Sequence, residues 1–138
     1  MAYFKLVATW SKAGVGTCIL AESNIGTKLA FDMGCTPIID QAVEARHVFI
    51  SHGHIDHVAG IFGHARSRAV LRAGAPPPTY FVPQALLQPL EQARQAMSAL
   101  DSMNDGTGAR NQSLVETCFV GVKPGDVVPL GHTKGKEM

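Results

Sequence analysis

Three stretches near the start of the chain, residues 3–9 (YFKLVAT), 16–22 (GTCILAE) and 27–32 (TKLAFD), are short β-prone runs, and the SKAGVG and SNIG between them carry hairpin chemistry. The pattern predicts an antiparallel meander. After the break at Gly34, TPIIDQAVEA reads as a short helix with Pro37 in its first turn, and HVFI (47–50) as a buried strand. From His57 onward, Val58, Ile61, Phe62, Ala65, Ala69 and Leu71 recur close to helical spacing, which turns Arg66, Arg68 and Arg72 toward solvent. PPP (76–78) ends that helix; TYFV (79–82) is a further strand, and residues 83–103 a second helix, kinked or started late by Pro89. A glycine-rich loop (104–113) precedes two last strands, LVETCFVGV and DVVPL, around the turn KPGD, and the chain closes on the polar GHTKGKEM. Strands, crossover helix, strand, helix, strand define an α/β class with a mixed sheet and helices on one face.

Length and composition fit one domain over 1–138: 138 residues support a single core, and 46% apolar against 17% charged residues is the balance of a folded protein. A net charge of +1 gives no global electrostatic case for nucleic acid, although a local basic surface stays open. No apolar run approaches the length of a bilayer span, and the first residues lack a signal peptide's apolar centre, so an intracellular location is expected. Cys18, Cys35 and Cys118 have no paired spacing and read as small buried hydrophobes in a reducing compartment.

What the hydrophobic pattern does not explain is SHGHIDHVAG (51–60), which places three of the six histidines and an aspartate within six positions directly after a strand. Along an extended segment, side chains two apart point the same way, so His52 and His54 converge on one metal ion. Asp56 and His57 follow where the chain turns into the helix and face a second ion beside the first. Ions so paired, roughly 3.5 to 4 Å apart, activate water as a nucleophile at neutral pH. Imidazoles with one carboxylate and no thiolate favour zinc, with manganese or iron as substitutes, over a structural Cys-rich site. Affinity should fall as acid protonates the imidazoles. Gly53 keeps the main chain thin between two ligands, and Gly60 lets the helix pack close.

SHGHIDHVAG matches the S-H-x-H-x-D-H-x-x-G signature of the metallo-β-lactamase superfamily. Within it the chain most resembles ribonuclease Z (tRNase Z), through GTCILAESNIGTKLAFDMG (16–34), similar to the paired strands and Asp-x-Gly turn before the signature, and VGVKPGDVVPLG (120–131), similar to the strands after the second helix. The resemblance implies the first half of a four-layer αββα sandwich. It implies zinc held by His52 and His54, a second zinc by Asp56 and His57, with Asp56 also the candidate catalytic residue. Asp32 would lie beneath the metal loop as a hydrogen-bond acceptor that orients a ligand, or simply end a strand at a glycine turn.

The family completes its metal site later in the chain, with two more histidines and a bridging aspartate, and its basic tRNA-binding arm also comes later. His132 stands about where a third ligand would, yet in a Gly- and Lys-rich tail rather than at a strand end. His47 and His64 read as surface or helix-face residues, His64 near enough to line the cleft, and the three arginines as a solvated face that might otherwise touch phosphate. A half fold would leave one sheet face apolar and uncovered, so pairing with a second copy or a complementary C-terminal half is expected. By resemblance the substrate is precursor tRNA and the reaction endonucleolytic removal of its 3′ trailer. The alternatives are a thioester or glyoxalase II-like hydrolase of the same fold and a non-catalytic metal-binding protein.

Overall fold

The computed structural model describes residues 3–103 and 116–130. Six strands, β1 (Phe4–Lys12), β2 (Gly16–Ser23), β3 (Lys28–Phe31), β4 (His47–Phe49), β5 (Thr79–Pro83) and β6 (Cys118–Val122), form one sheet in the order β1-β2-β3-β4-β5-β6. The first three are antiparallel, as short hairpin connections require, and Gly14 and Gly26 take the left-handed φ of 73° and 83° that their turns demand. From β3 onward the pairing is parallel, because helical crossovers return the chain to the same end of the sheet each time. The helices are α1 (Ile39–Ala42), α2 (Ile55–Val58), α3 (Ile61–Leu71) and α4 (Leu87–Ser102), the last preceded by a 3-10 turn, Gln84–Leu86. Pro89 falls in the first turn of α4, where a missing N–H costs nothing.

Register places Ala8, Leu20, Ala30, Val48, Tyr80 and Phe119 in one row across all six strands. This row meets Ala42, Ala45, Ile61 and Leu90 from the helical segments and forms the core. Offset by one residue, Thr9, Ile19, Phe31, Phe49, Phe81 and Val120 make the row on the opposite face. Its phenylalanines stack at 5.8 Å (Phe31–Phe49) and 4.8 Å (Phe49–Phe81), and Phe31 remains 44% exposed while Phe81 is buried. The mixed sheet with helices on one face matches the architecture expected from the sequence.

Several local expectations change. Of the three cysteines expected to be buried, only Cys18 is; Cys35, in the loop after β3, and Cys118, at the start of the edge strand β6, are exposed. The helix expected from His57 is two helices, α2 and α3, separated at Ala59–Gly60. Its inward face is not the apolar set alone: Ile61, His64, Ala65 and Arg68 are the buried positions, while Leu71 is 54% exposed. His64 is therefore a core residue, not a surface or cleft one. Its Nε2 donates to the Ala42 carbonyl at 2.9 Å and its Nδ1 lies 2.6 Å from the Tyr80 hydroxyl, which also reaches the Ile61 carbonyl at 3.0 Å. Arg68 is likewise buried, donating to the Val43 carbonyl at 2.8 Å. DVVPL (126–130) is irregular rather than a strand, although KPGD does turn, with Asp126 N–H donating to the Lys123 carbonyl. The loop 104–113 and the tail with His132 lie outside the described residues.

Candidate active site

The carboxyl ends of β3 and β4 lie side by side because the strands are parallel, and each continues into a loop carrying chemistry. The β3 loop is Asp32-Met33-Gly34. Asp32 is buried with φ of 61°, a left-handed conformation that aspartate tolerates better than most side chains. Main-chain bonds stitch this loop to its surroundings: Asp32 N–H to Phe49 O (2.7 Å), Met33 N–H to His57 O (2.9 Å), Gly34 N–H to Thr17 O (2.9 Å) and, returning, Gly60 N–H to Met33 O (3.0 Å). The β4 loop carries Ser51, His52, Gly53 and His54 on the surface, and Asp56 and His57 follow, half-buried, in α2.

The four candidate ligands come together. The ring of His52 stands 4.6 Å from that of His54 and 4.1 Å from that of His57. Their donor atoms fall into two pairs: His52 Nε2 is 3.2 Å from His54 Nδ1, and His57 Nε2 is 3.5 Å from Asp56 Oδ2. Two donors bound to one tetrahedral zinc at about 2.1 Å would be about 3.4 Å apart. Both pairs have that spacing. Among the described residues, no group of three or more His, Cys, Asp or Glu side chains is arranged to hold one ion.

Asp32 lies beneath the group. Its Oδ2 is 2.8 Å from His57 Nδ1, and it accepts Ser51 N–H at 2.7 Å and the Ser51 hydroxyl at 2.8 and 2.9 Å. Ser51 Oγ in turn lies 2.9 Å from His52 Nδ1. From the β1–β2 hairpin, Gly14 N–H donates to Asp56 Oδ2 at 3.2 Å. Desolvation pushes the Asp56 carboxyl up, but the N–H groups of Gly14 and of Asp56 itself, with the imidazoles of His57 and His54, bring it below the ordinary carboxylate range. Ser51 and the hairpin tip are the functional contacts that residue types alone do not flag. Ser51 stands inside the signature but is not a ligand type; Gly14 contributes only main chain.

Two further candidates resolve differently. Gly53 makes room for a neighbour, since a Cβ there would lie 2.9 Å from Leu86 Cδ2. The arginines do not form an open basic face: Arg66 pairs with Asp101 at 2.8 Å, Arg72 pairs with Glu44, and Arg68 is buried. His47 sits half-buried on β4, its ring 6.1 Å from that of Phe81.

The sheet and the helices on its one face have the metallo-β-lactamase fold. The metallo-β-lactamase fold protein YhfI from Bacillus subtilis superposes on 95% of this chain and 50% of its own with a TM-score of 0.57 at 15% identity. The chain's curated homologues are ribonucleases Z, and the match is consistent with their N-terminal half. It is 35% identical to the nuclear ribonuclease Z of Triticum aestivum over 91 residues, 66% of this chain and 48% of the relative. It is 33% identical to tRNase Z TRZ1 of Arabidopsis thaliana over 92 residues, 67% of this chain and 30% of the relative, and 31% identical to chloroplastic tRNase Z TRZ2 of the same plant. The chain thus spans about half or less of the length of the curated relatives it matches. No protein-family model matches it. Among the described residues, no helix is long and apolar enough to cross a membrane.

Proposed function

We propose that the chain carries the first four ligands of a two-zinc hydrolase centre of the ribonuclease Z type, which cuts the 3′ trailer from precursor tRNA. One observation carries the reading: two donor pairs, His52/His54 and Asp56/His57, spaced 3.2 and 3.5 Å apart on adjacent segments at the carboxyl end of the sheet. When bound, such ions supply Lewis-acid polarisation of a phosphoryl oxygen and a water acidic enough to attack at neutral pH. The chain's own residues do the rest. Asp32 keeps His57 oriented, Gly14 N–H holds one oxygen of Asp56 in place, and the exposure of His52 and His54 leaves the ion face open to a large substrate. Two donors per ion fall short of the four a tetrahedral site takes, so further ligands come from outside the described residues. The substrate rests on the homologues, whose names are ribonuclease Z and tRNase Z.

Calorimetric titration with zinc and with manganese at pH 7.5 should show binding that His54→Ala weakens by at least about 100-fold, more than loss of an outer-shell partner costs. A precursor tRNA with a labelled trailer, incubated with either metal, should be cut slowly at the 3′ side of the discriminator, and His54→Ala should abolish the cut. Equal cleavage by the variant would remove the site assignment; turnover of a thioester with no action on RNA would move the substrate class.

A further inference from the structure

The hydrogen bonds around Asp32 determine more than ring orientation. A carboxylate only accepts, so the proton between Ser51 Oγ and Asp32 is the serine's own. A hydroxyl has one proton, so Ser51 Oγ, having given it to Asp32, faces His52 Nδ1 at 2.9 Å as an acceptor, and that nitrogen must carry the hydrogen. His57 Nδ1, 2.8 Å from Asp32 Oδ2, must carry one for the same reason. In neutral imidazole the other nitrogen is then bare. For His52 that is the Nε2 facing His54, and for His57 the Nε2 facing Asp56.

We propose that Ser51 is a positioning residue that relays the Asp32 carboxylate to His52, so that one buried acid sets the tautomer of a histidine in each donor pair. Direct contact sets His57; the serine extends the same control to His52. Without the relay, His52 Nδ1 faces water and the ring divides between its two tautomers, only one of which presents a lone pair at Nε2. Control of the tautomer is a property of the metal-free chain. Its use as preparation for an ion rests on the hydrolase reading above.

Long-range 15N–1H NMR of the histidine rings in metal-free protein at pH 8 tests it. Wild type should show His52 and His57 protonated on Nδ1. Ser51→Ala should lower the Nδ1–H to Nε2–H ratio of His52 about fivefold, the factor one ordinary hydrogen bond supplies, and leave His57 unchanged as an internal control. Ser51→Thr, which keeps the hydroxyl, should restore it. Zinc affinity should follow, falling by up to about fivefold in the alanine variant, the share of the binding tautomer that is lost, and recovering in the threonine one. An unaltered His52 ratio in Ser51→Ala overturns the relay, as does a parallel change at His57, which would report a loosened loop. Wild type with the stated tautomers but no affinity for zinc or manganese would leave the relay standing and remove the metal reading.

Discussion

A methyl group on Gly60 would lie 2.3 Å from the carbonyl oxygen of Gly34, and one on Gly34 would lie 2.0 Å from the carbonyl oxygen of Asp56. Both obstacles are main chain, so neither can rotate away. These two glycines let the Asp32 loop and the ligand-bearing α2 press together with nothing between them, which is the contact that holds Asp32 under His57. Gly63, three residues further on, has open space around its missing Cβ. The pair makes a controlled comparison at residue scale. Gly60→Ala should cost about 3 kcal/mol, at the upper end for overpacking, because only a main-chain shift relieves it. Gly63→Ala in α3 should be neutral or stabilise by about 0.5 to 1 kcal/mol through the lower entropy of the unfolded chain. Urea unfolding of the two variants reads both signs; equal effects would mean that the loop and α2 are not in the tight contact described. The same scale explains why the candidate ligands and Asp32 could be named from the sequence while Ser51 could not. Imidazoles and a carboxylate at H-x-H-x-D-H spacing declare their chemistry by type, and an extended segment followed by a helical turn brings them together by backbone geometry alone. The role of Ser51 depends on where Asp32 sits, nineteen residues back in a different strand loop, and no local spacing encodes that.

At the scale of the element, α3 shows where periodicity misleads. Its inward stripe is Ile61, His64, Ala65 and Arg68, an i, i+3, i+4, i+7 set in which half the members are polar. A binary pattern scores His64 and Arg68 as outward-facing and so rotates the helix toward Ala69 and Leu71. The tertiary structure prevails because each polar group finds a carbonyl or hydroxyl inside: Ala42 O and Tyr80 OH for His64, Val43 O for Arg68. The strands were more legible, since their alternation and hairpin glycines act locally, whereas DVVPL has strand-like residues but no described partner strand. Burial of His64 has a measurable consequence. Desolvation, aided by the nearby Arg68 charge, lowers its pKa from 6.5 to about 4, against the opposing pull of the Ala42 carbonyl. An unfolded chain takes up this proton near pH 6.5 and the folded chain only near 4. The folded state is therefore fully favoured above 6.5, and stability declines as pH falls through that window, by about 3 kcal/mol once below 4. Urea midpoints at pH 7.5, 5.5 and 4.5 should fall accordingly. His64→Gln, which cannot titrate, should be less stable at pH 7.5 but lose less on acidification; an equal slope in both would place the titration elsewhere.

Across the whole molecule both faces of the sheet are apolar, and among the described residues the face opposite the core row is only partly covered: Phe81 is buried while Phe31 is not. Helices seal the row from Ala8 to Phe119, whereas Ile19, Phe31, Phe49, Phe81 and Val120 form a continuous ladder on the other side, with Phe31 44% and Val120 37% exposed. Leu6, 69% exposed, extends the same face at β1 through its pairing with Ala21. An apolar ladder exposed in part is the kind of surface at which pairing can be tested. The fold neighbour matched over 95% of this chain is about twice as long, so this chain spans about one half of such a fold. We infer that the ladder receives a second sheet and that, when the 138-residue chain is alone, a second copy supplies it face to face. Sheets stacked this way lie about 10 Å apart and bury both aromatic rows. Light scattering after gel filtration should then give about twice the 14.7 kDa chain mass. Phe31→Lys places a charge at the ladder's most exposed phenylalanine and should return the protein to a monomer, because an unpaired lysine buried between two apolar sheets costs several kcal/mol. The substitution lies one residue before Asp32, so the His57 ring signals serve as a control that the loop survives. A wild-type monomer that melts cooperatively would show that the exposed ladder is tolerated in water and needs no second sheet.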